Sequence, residues 1–89
     1  MAWSIELAPG AHKGLKGLDP GGVRRLLSFL HERVAPLEDP RCIGEAQKGS
    51  ELGAFWKYRV GDYRLICRIE DGRLLILVVQ IGNRREIYR

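Results

Sequence analysis

Two hydrophobic periods alternate along the chain, and the places where one gives way to the other outline its elements. Trp3, Ile5 and Leu7 alternate with Ser4 and Glu6, the period of a half-buried strand, and Pro9-Gly10 ends it. Ala11, Leu15 and Leu18 then fall at helical spacing, with Lys13 and Lys16 between them. Gly14 and Gly17 weaken this first helix. Asp19-Pro20 opens a second, with Asp as the cap and Pro in the first turn. Val23, Leu26, Leu27, Leu30 and Val34 form one apolar face, and the helix stops before Pro36. The two helices make a hairpin that must bury its apolar side.

Residues 36–50 carry two Pro, two Gly and mixed charge, and read as an ordered loop crossing a sheet. Beyond them the period returns to two. Ala54, Trp56, Tyr58 and Val60 alternate with Phe55, Lys57 and Arg59; Tyr63, Leu65, Cys67 and Ile69 alternate with Arg64, Ile66 and Arg68. Gly61-Asp62 between them fits a two-residue hairpin turn with Gly in first place. Asp71-Gly72 is a second tight turn. Leu74 to Val79 is apolar on both faces, as an interior strand should be, and Gly82-Asn83 breaks it before a short extended end. The expected architecture is α+β: an N-terminal strand, a two-helix hairpin, then an antiparallel β-meander with the helices packed on one face of the sheet.

At 89 residues the chain reads as a single domain over residues 1–89. No apolar run is long enough to span a bilayer, and Met1 to Gly10 lacks the basic start and apolar core of a signal peptide, so the expected setting is the cytoplasm. Two cysteines, Cys42 and Cys67, form no metal or disulfide pattern and read as structural. With two His and no carboxylate cluster, no metal or other cofactor is expected.

The formal charge of +4 is modest, but it is unevenly placed: from Lys57 to Arg89 there are eight basic and four acidic residues. A polyanionic partner is the leading reading. The hairpin register sharpens it. With Gly61-Asp62 as the loop, Arg59 lies opposite Arg64, and Lys57, Arg59, Arg64 and Arg68 project from one face. Like charges directly opposite destabilise a strand pair. A phosphate between them turns repulsion into charge-assisted contacts. The competing reading is a solvated face, its arginines splayed apart or paired to Asp62, Glu70 or Glu86. His12 and His31 have no partner, so cleavage by paired histidines has no support. Clustered arginines can stabilise a phosphorane-like transition state, a lysine crowded by cations can act as a base, and a phenol such as Tyr88 can shuttle a proton or stack on a base. That set suits RNA cleavage by the RNA's own 2′-hydroxyl, and suits RNA binding without cleavage equally well.

The stretch from Phe55 to Arg89, with YRVGDYRLI and then IGNRREIY after an apolar strand, resembles the C-terminal half of RelE/ParE superfamily toxins, within it the RelE branch. The resemblance implies a type II toxin that cuts messenger RNA in the ribosome. It implies a cognate RelB-like antitoxin, and operator DNA bound only through the toxin–antitoxin complex. Carried over by motif, the site residues are Lys57 as base, Arg59, Arg64 and Arg84 on the phosphate, and Tyr88 on the cleaved nucleotide. Lys13, Lys16, Lys48, Arg68 and Arg85 would support RNA binding. Two alternatives remain: a ParE-like inhibitor of DNA gyrase, and a non-toxic antitoxin-binding partner in operon control.

Overall fold

A computed structural model of the chain describes residues 3–46 and 55–83. Strand β1 (Ser4–Leu7) is followed by helices α1 (Pro9–Lys16) and α2 (Pro20–Phe29). A π-helical turn, Leu30–Val34, continues α2, and a 3-10 turn, Pro40–Ile43, leads to the short strand β2 (Glu45–Ala46). Strands β3 (Phe55–Val60), β4 (Tyr63–Glu70) and β5 (Leu75–Asn83) complete a five-stranded sheet in the order β1-β5-β4-β3-β2. The α+β class and the antiparallel β3–β4–β5 meander agree with the sequence reading.

Local chemistry explains the helix starts. Pro9 both ends β1 and opens α1 without a linker, because a first-turn residue needs no N–H and proline already has a helical φ. At α2 the Asp19 carboxylate accepts from the Gly22 N–H at 2.7 Å, and Pro20 follows it. Leu26, Leu30 and Val34 are fully buried. The π turn, closed by the Ala35 N–H on the Leu30 carbonyl at 2.8 Å, lets α2 end with both Leu30 and Val34 inward. These side chains meet Tyr58, Val60, Leu65, Cys67, Ile76, Val78 and Ile81 from the sheet in one core.

Two expectations change. The last strand does not break at Gly82-Asn83; it runs to Asn83, because β4 supplies a hydrogen-bonding neighbour along its whole length. The register of β5 on β4 shifts where Ile66 pairs with Gln80 but Cys67 pairs with Val78. This bulge absorbs Val79 and resets the alternation, so Ile76, Val78 and Ile81 all reach the core. The second turn is a 3-10 turn, Asp71–Arg73, whose left-handed residue is Leu74 at φ 47°, not Gly72. Cys67 is the buried thiol that its strand position predicts, and Cys42 is exposed. The expected strand position Ala54 lies outside the described residues. Among the described residues no helix is long and apolar enough to cross a membrane.

The crossing segment is pinned at two points. The Tyr58 hydroxyl, buried in the core, donates to the Pro40 carbonyl at 2.6 Å. On the surface the Arg41 guanidinium grips Asp71 with bonds of 3.1 and 2.6 Å, while its centre lies 5.9 Å from the Trp56 ring.

Candidate RNA-binding face

The hairpin forms with the expected register. Gly61 has φ +60°, and among the described residues other than glycine only Leu74 has a positive φ, so Asp62 completes a II′-type turn. Val60 pairs with Tyr63, Arg59 with Arg64, Tyr58 with Leu65 and Lys57 with Ile66. Helices cover the face of Tyr58, Val60 and Leu65, so Lys57, Arg59, Arg64 and Arg68 belong to the other face.

Strand pairing arranges that face in rows. Arg59, Arg64 and Gly82 lie abreast on β3, β4 and β5. Glu45, Lys57, Ile66 and Gln80 form the next row. Phe55, Arg68 and Leu77 form the third. Gly82 puts no side chain next to Arg64, so the β5 side of the arginine row stays low.

The cations differ in environment. Arg59 and Arg68 are exposed, and neither has a carboxylate within 4 Å among the described residues. Arg64 is only 5% exposed. Its Nη1 donates to the Tyr63 carbonyl at 3.0 Å and more weakly to the Gly61 carbonyl at 3.4 Å, which draws the guanidinium towards the turn. Lys57 is half-buried, with its Nζ 3.8 Å from the Glu45 carboxylate on β2. Of the carboxylates that a purely solvated face would use, Asp62 and Glu70 form no ion pair with Arg59, and Glu86 lies outside the described residues.

Other titratable groups are withdrawn from chemistry. Burial pushes the Cys67 thiol up to about 12, so it stays protonated and inert. Burial, reinforced by Cys67, holds the Tyr58 phenol well above its ordinary range. His12 and His31 are exposed on the helical layer, away from the basic face. No group of three or more potential metal ligands occurs among the described residues.

The model of the family described as ParE toxin of type II toxin-antitoxin system, parDE, matches residues 5–88. The chain belongs to this family. It is a type II toxin of the RelE/ParE superfamily. The Toxin RelG of Mycobacterium tuberculosis is 25% identical over 89 residues, 100% of this chain and 99% of that protein. In structure the chain resembles the toxin–antitoxin complex RelBE2 of the same organism, with a TM-score of 0.82 and 21% identity over 94% of this chain and 93% of the other. It also resembles the isolated Escherichia coli RelE toxin, with a TM-score of 0.72 and 23% identity over 98% and 92% of the two chains. These structural likenesses carry the fold.

In this toxin, then, Lys57, Arg59, Arg64 and Arg68 share one strand face. Lys13 and Lys16 are exposed on α1, in the layer over the opposite face, and do not join them. Lys48, Arg84, Arg85 and Tyr88 lie outside the described residues. β5 ends at Asn83 opposite Tyr63, at the turn end of the hairpin. Two neighbours of the basic face escape a sequence reading. Glu45 reaches Lys57 across the β2–β3 pair, and Arg25 of α2 lies against Gly61. A two-residue strand has no periodicity to read, and a helix-to-turn contact leaves no local pattern.

Proposed function

We propose that this toxin is a metal-independent endoribonuclease that cuts messenger RNA on the ribosome and is restrained by a cognate antitoxin. The observation that carries the reading is the Arg59–Arg64 pair, held directly opposite one another one row from Lys57. A phosphodiester lying across that row would meet two guanidiniums whose planar donors match its oxygens. Lys57 would take the proton of the adjacent 2′-hydroxyl. That oxygen would then form a bond to phosphorus, and the bond from phosphorus to the next nucleotide's 5′-oxygen would break. With the departing 5′-oxygen taking up a proton from solvent, the products are a 2′,3′-cyclic phosphate and a 5′-hydroxyl. Arg84 and Tyr88, contributed from beyond β5, would complete the site, the first on the developing charge and the second on the cleaved nucleotide. Arg68 on the same face, with Lys48 and Arg85, would add sequence-independent attraction to RNA, whereas Lys13 and Lys16, over the opposite face, would not.

The solved toxin–antitoxin complexes with this fold support a RelB-like partner, and operator DNA would be bound only by that complex. Such a pair acts in the cytoplasm, where ribosomes are.

Primer extension on translating ribosomes tests the reading. Arg59→Ala should lower the cleavage rate by about 10²–10³, the usual cost of removing one transition-state donor. Continued cutting at the wild-type rate by a folded Arg59→Ala/Arg64→Ala protein would refute the assignment. The family description names ParE, which favours a second reading as a DNA gyrase inhibitor. A supercoiling assay with purified gyrase separates the two: inhibition without mRNA cleavage decides for the second.

A further inference from the structure

Arg25 is the cation closest to the hairpin turn that is not part of the strand face. A Cβ added to Gly61 would lie 3.4 Å from its Nη1, 3.5 Å from its Cζ and 3.7 Å from its Nη2. Three nearly equal distances mean that the planar guanidinium faces the glycine broadside. Its donors point along its edge, away from the contact. Arg64 meets the same glycine from the sheet, with Nη1 on the Gly61 carbonyl. Arg59 lies across the strand pair from Arg64. Two guanidiniums therefore meet at one two-residue turn, Arg25 from the helix and Arg64 from the sheet.

Among the described residues Arg25 makes no hydrogen bond and has no carboxylate within 4 Å, and the same holds for Arg59. Asp62, the acid of the turn itself, is exposed and lies beyond 4 Å of both. Holding a long side chain flat on a glycine costs rotamer freedom. Charge-assisted contacts with an extended polyanion offset that cost, because successive phosphates can be met by successive planar forks.

We propose that Arg25 is an RNA-backbone contact, so that the bound strand runs off the β3–β4 face, round the Gly61-Asp62 turn and onto α2. This rests on the reading of the strand face as an RNA site and extends its footprint by one phosphate beyond the reacting one. The contact is sequence-independent, since a guanidinium at the backbone reads no base edge.

Anisotropy of a labelled, single-stranded 2′-O-methyl RNA, titrated with the full-length protein between low and moderate salt, isolates binding from cleavage, because this RNA has no free 2′-hydroxyl. Arg25→Ala should weaken binding roughly three- to tenfold and reduce the slope of log K against log salt by about 0.7. Arg25→Lys should restore the slope but not the full affinity, because it keeps the charge and loses the fork. Unchanged affinity and slope in Arg25→Ala, with Arg59→Ala weakened, would leave the strand-face site standing and remove Arg25 from it. Wild-type RNA binding by Arg25→Ala together with lost binding of an acidic peptide would assign the residue to a protein partner and overturn the proposal. Failure of the wild-type protein to bind the RNA at all would overturn both readings. Circular dichroism melts of each variant confirm that the fold is kept.

Discussion

At the scale of single residues, two glycines look alike in sequence and differ in what they do. Gly61 and Gly72 each sit in a short turn between strands. Gly61 has φ +60° under the Arg25 guanidinium, whereas Gly72 has no positive φ and nothing near a would-be Cβ. Gly61→Ala should destabilise the fold by about 1–2 kcal/mol, the ordinary cost of a left-handed non-glycine residue. Gly72→Ala should leave stability unchanged or raise it by about 0.4–1 kcal/mol, through lost freedom of the unfolded chain. Urea denaturation of the two variants checks the contrast, and equal effects would contradict it. The first turn was legible because Gly61-Asp62 joins two strands whose alternations both point to it. The second was not. Leu74 takes the left-handed place because its side chain packs against the core, a tertiary gain that overrides turn preference.

At the scale of elements, the glycines of α1 acquire a meaning opposite to their helix propensity. A Cβ at Gly14 would come 2.2 Å from the Ile81 carbonyl oxygen, and one at Gly10 would come 2.8 Å from that of Val79. The helix lies on the β5 backbone because these positions carry no side chain. In an exposed helix Gly→Ala stabilises by about 1 kcal/mol. Here Gly14→Ala should instead lower the melting temperature, by several degrees or more, because a backbone carbonyl cannot step aside. A rise in melting temperature would show that α1 can lift without loss. Periodicity located α1 and α2 through Ala11, Leu26, Leu30 and Val34, all of which are core. It could not foresee the bulge at Val79, since a continuous apolar run has no parity for an insertion to disturb. Nor could it foresee β2, two exposed residues whose strand identity comes entirely from their pairing with Trp56 and Lys57. For the site, the register that joins Arg59 to Arg64 was readable from the turn; the folding of Arg64 onto the Gly61 and Tyr63 carbonyls was not, because it depends on side-chain torsions.

At the scale of the molecule, the Arg41–Asp71 pair ties the crossing segment to the far end of the meander, 30 residues along the chain. Hydrogen bonds from Arg41 lower the Asp71 carboxyl below its ordinary range, and the same contact raises Arg41. A depressed carboxylate stabilises the fold above its unfolded pKa, about 3.9, and the contribution fades as pH falls through the lower folded value. The raised arginine contributes at every pH below its own ordinary range, so acid acts on the pair through Asp71. Wild-type stability should therefore fall more steeply below about pH 4 than that of Asp71→Asn. Parallel denaturation curves at pH 5 and pH 3 measure it, and equal slopes would show the tether to be idle.

The parallel pairing of β1 with β5 has a consequence in time. Ser4 pairs with Leu75 and Leu7 with Val78, so the first strand has its hydrogen-bonding neighbour at the other end of the described chain. During synthesis from the N-terminus, β1 and both helices exist before the strand they dock on has been made. Closing so long a loop is entropically slow, and contacts this distant in sequence form late. The sheet becomes whole only when β5 threads between β1 and β4. Until then the Arg59–Arg64 hairpin lacks the Gly82 side of its row. A nascent chain is thus without a finished basic face until β5 has been made.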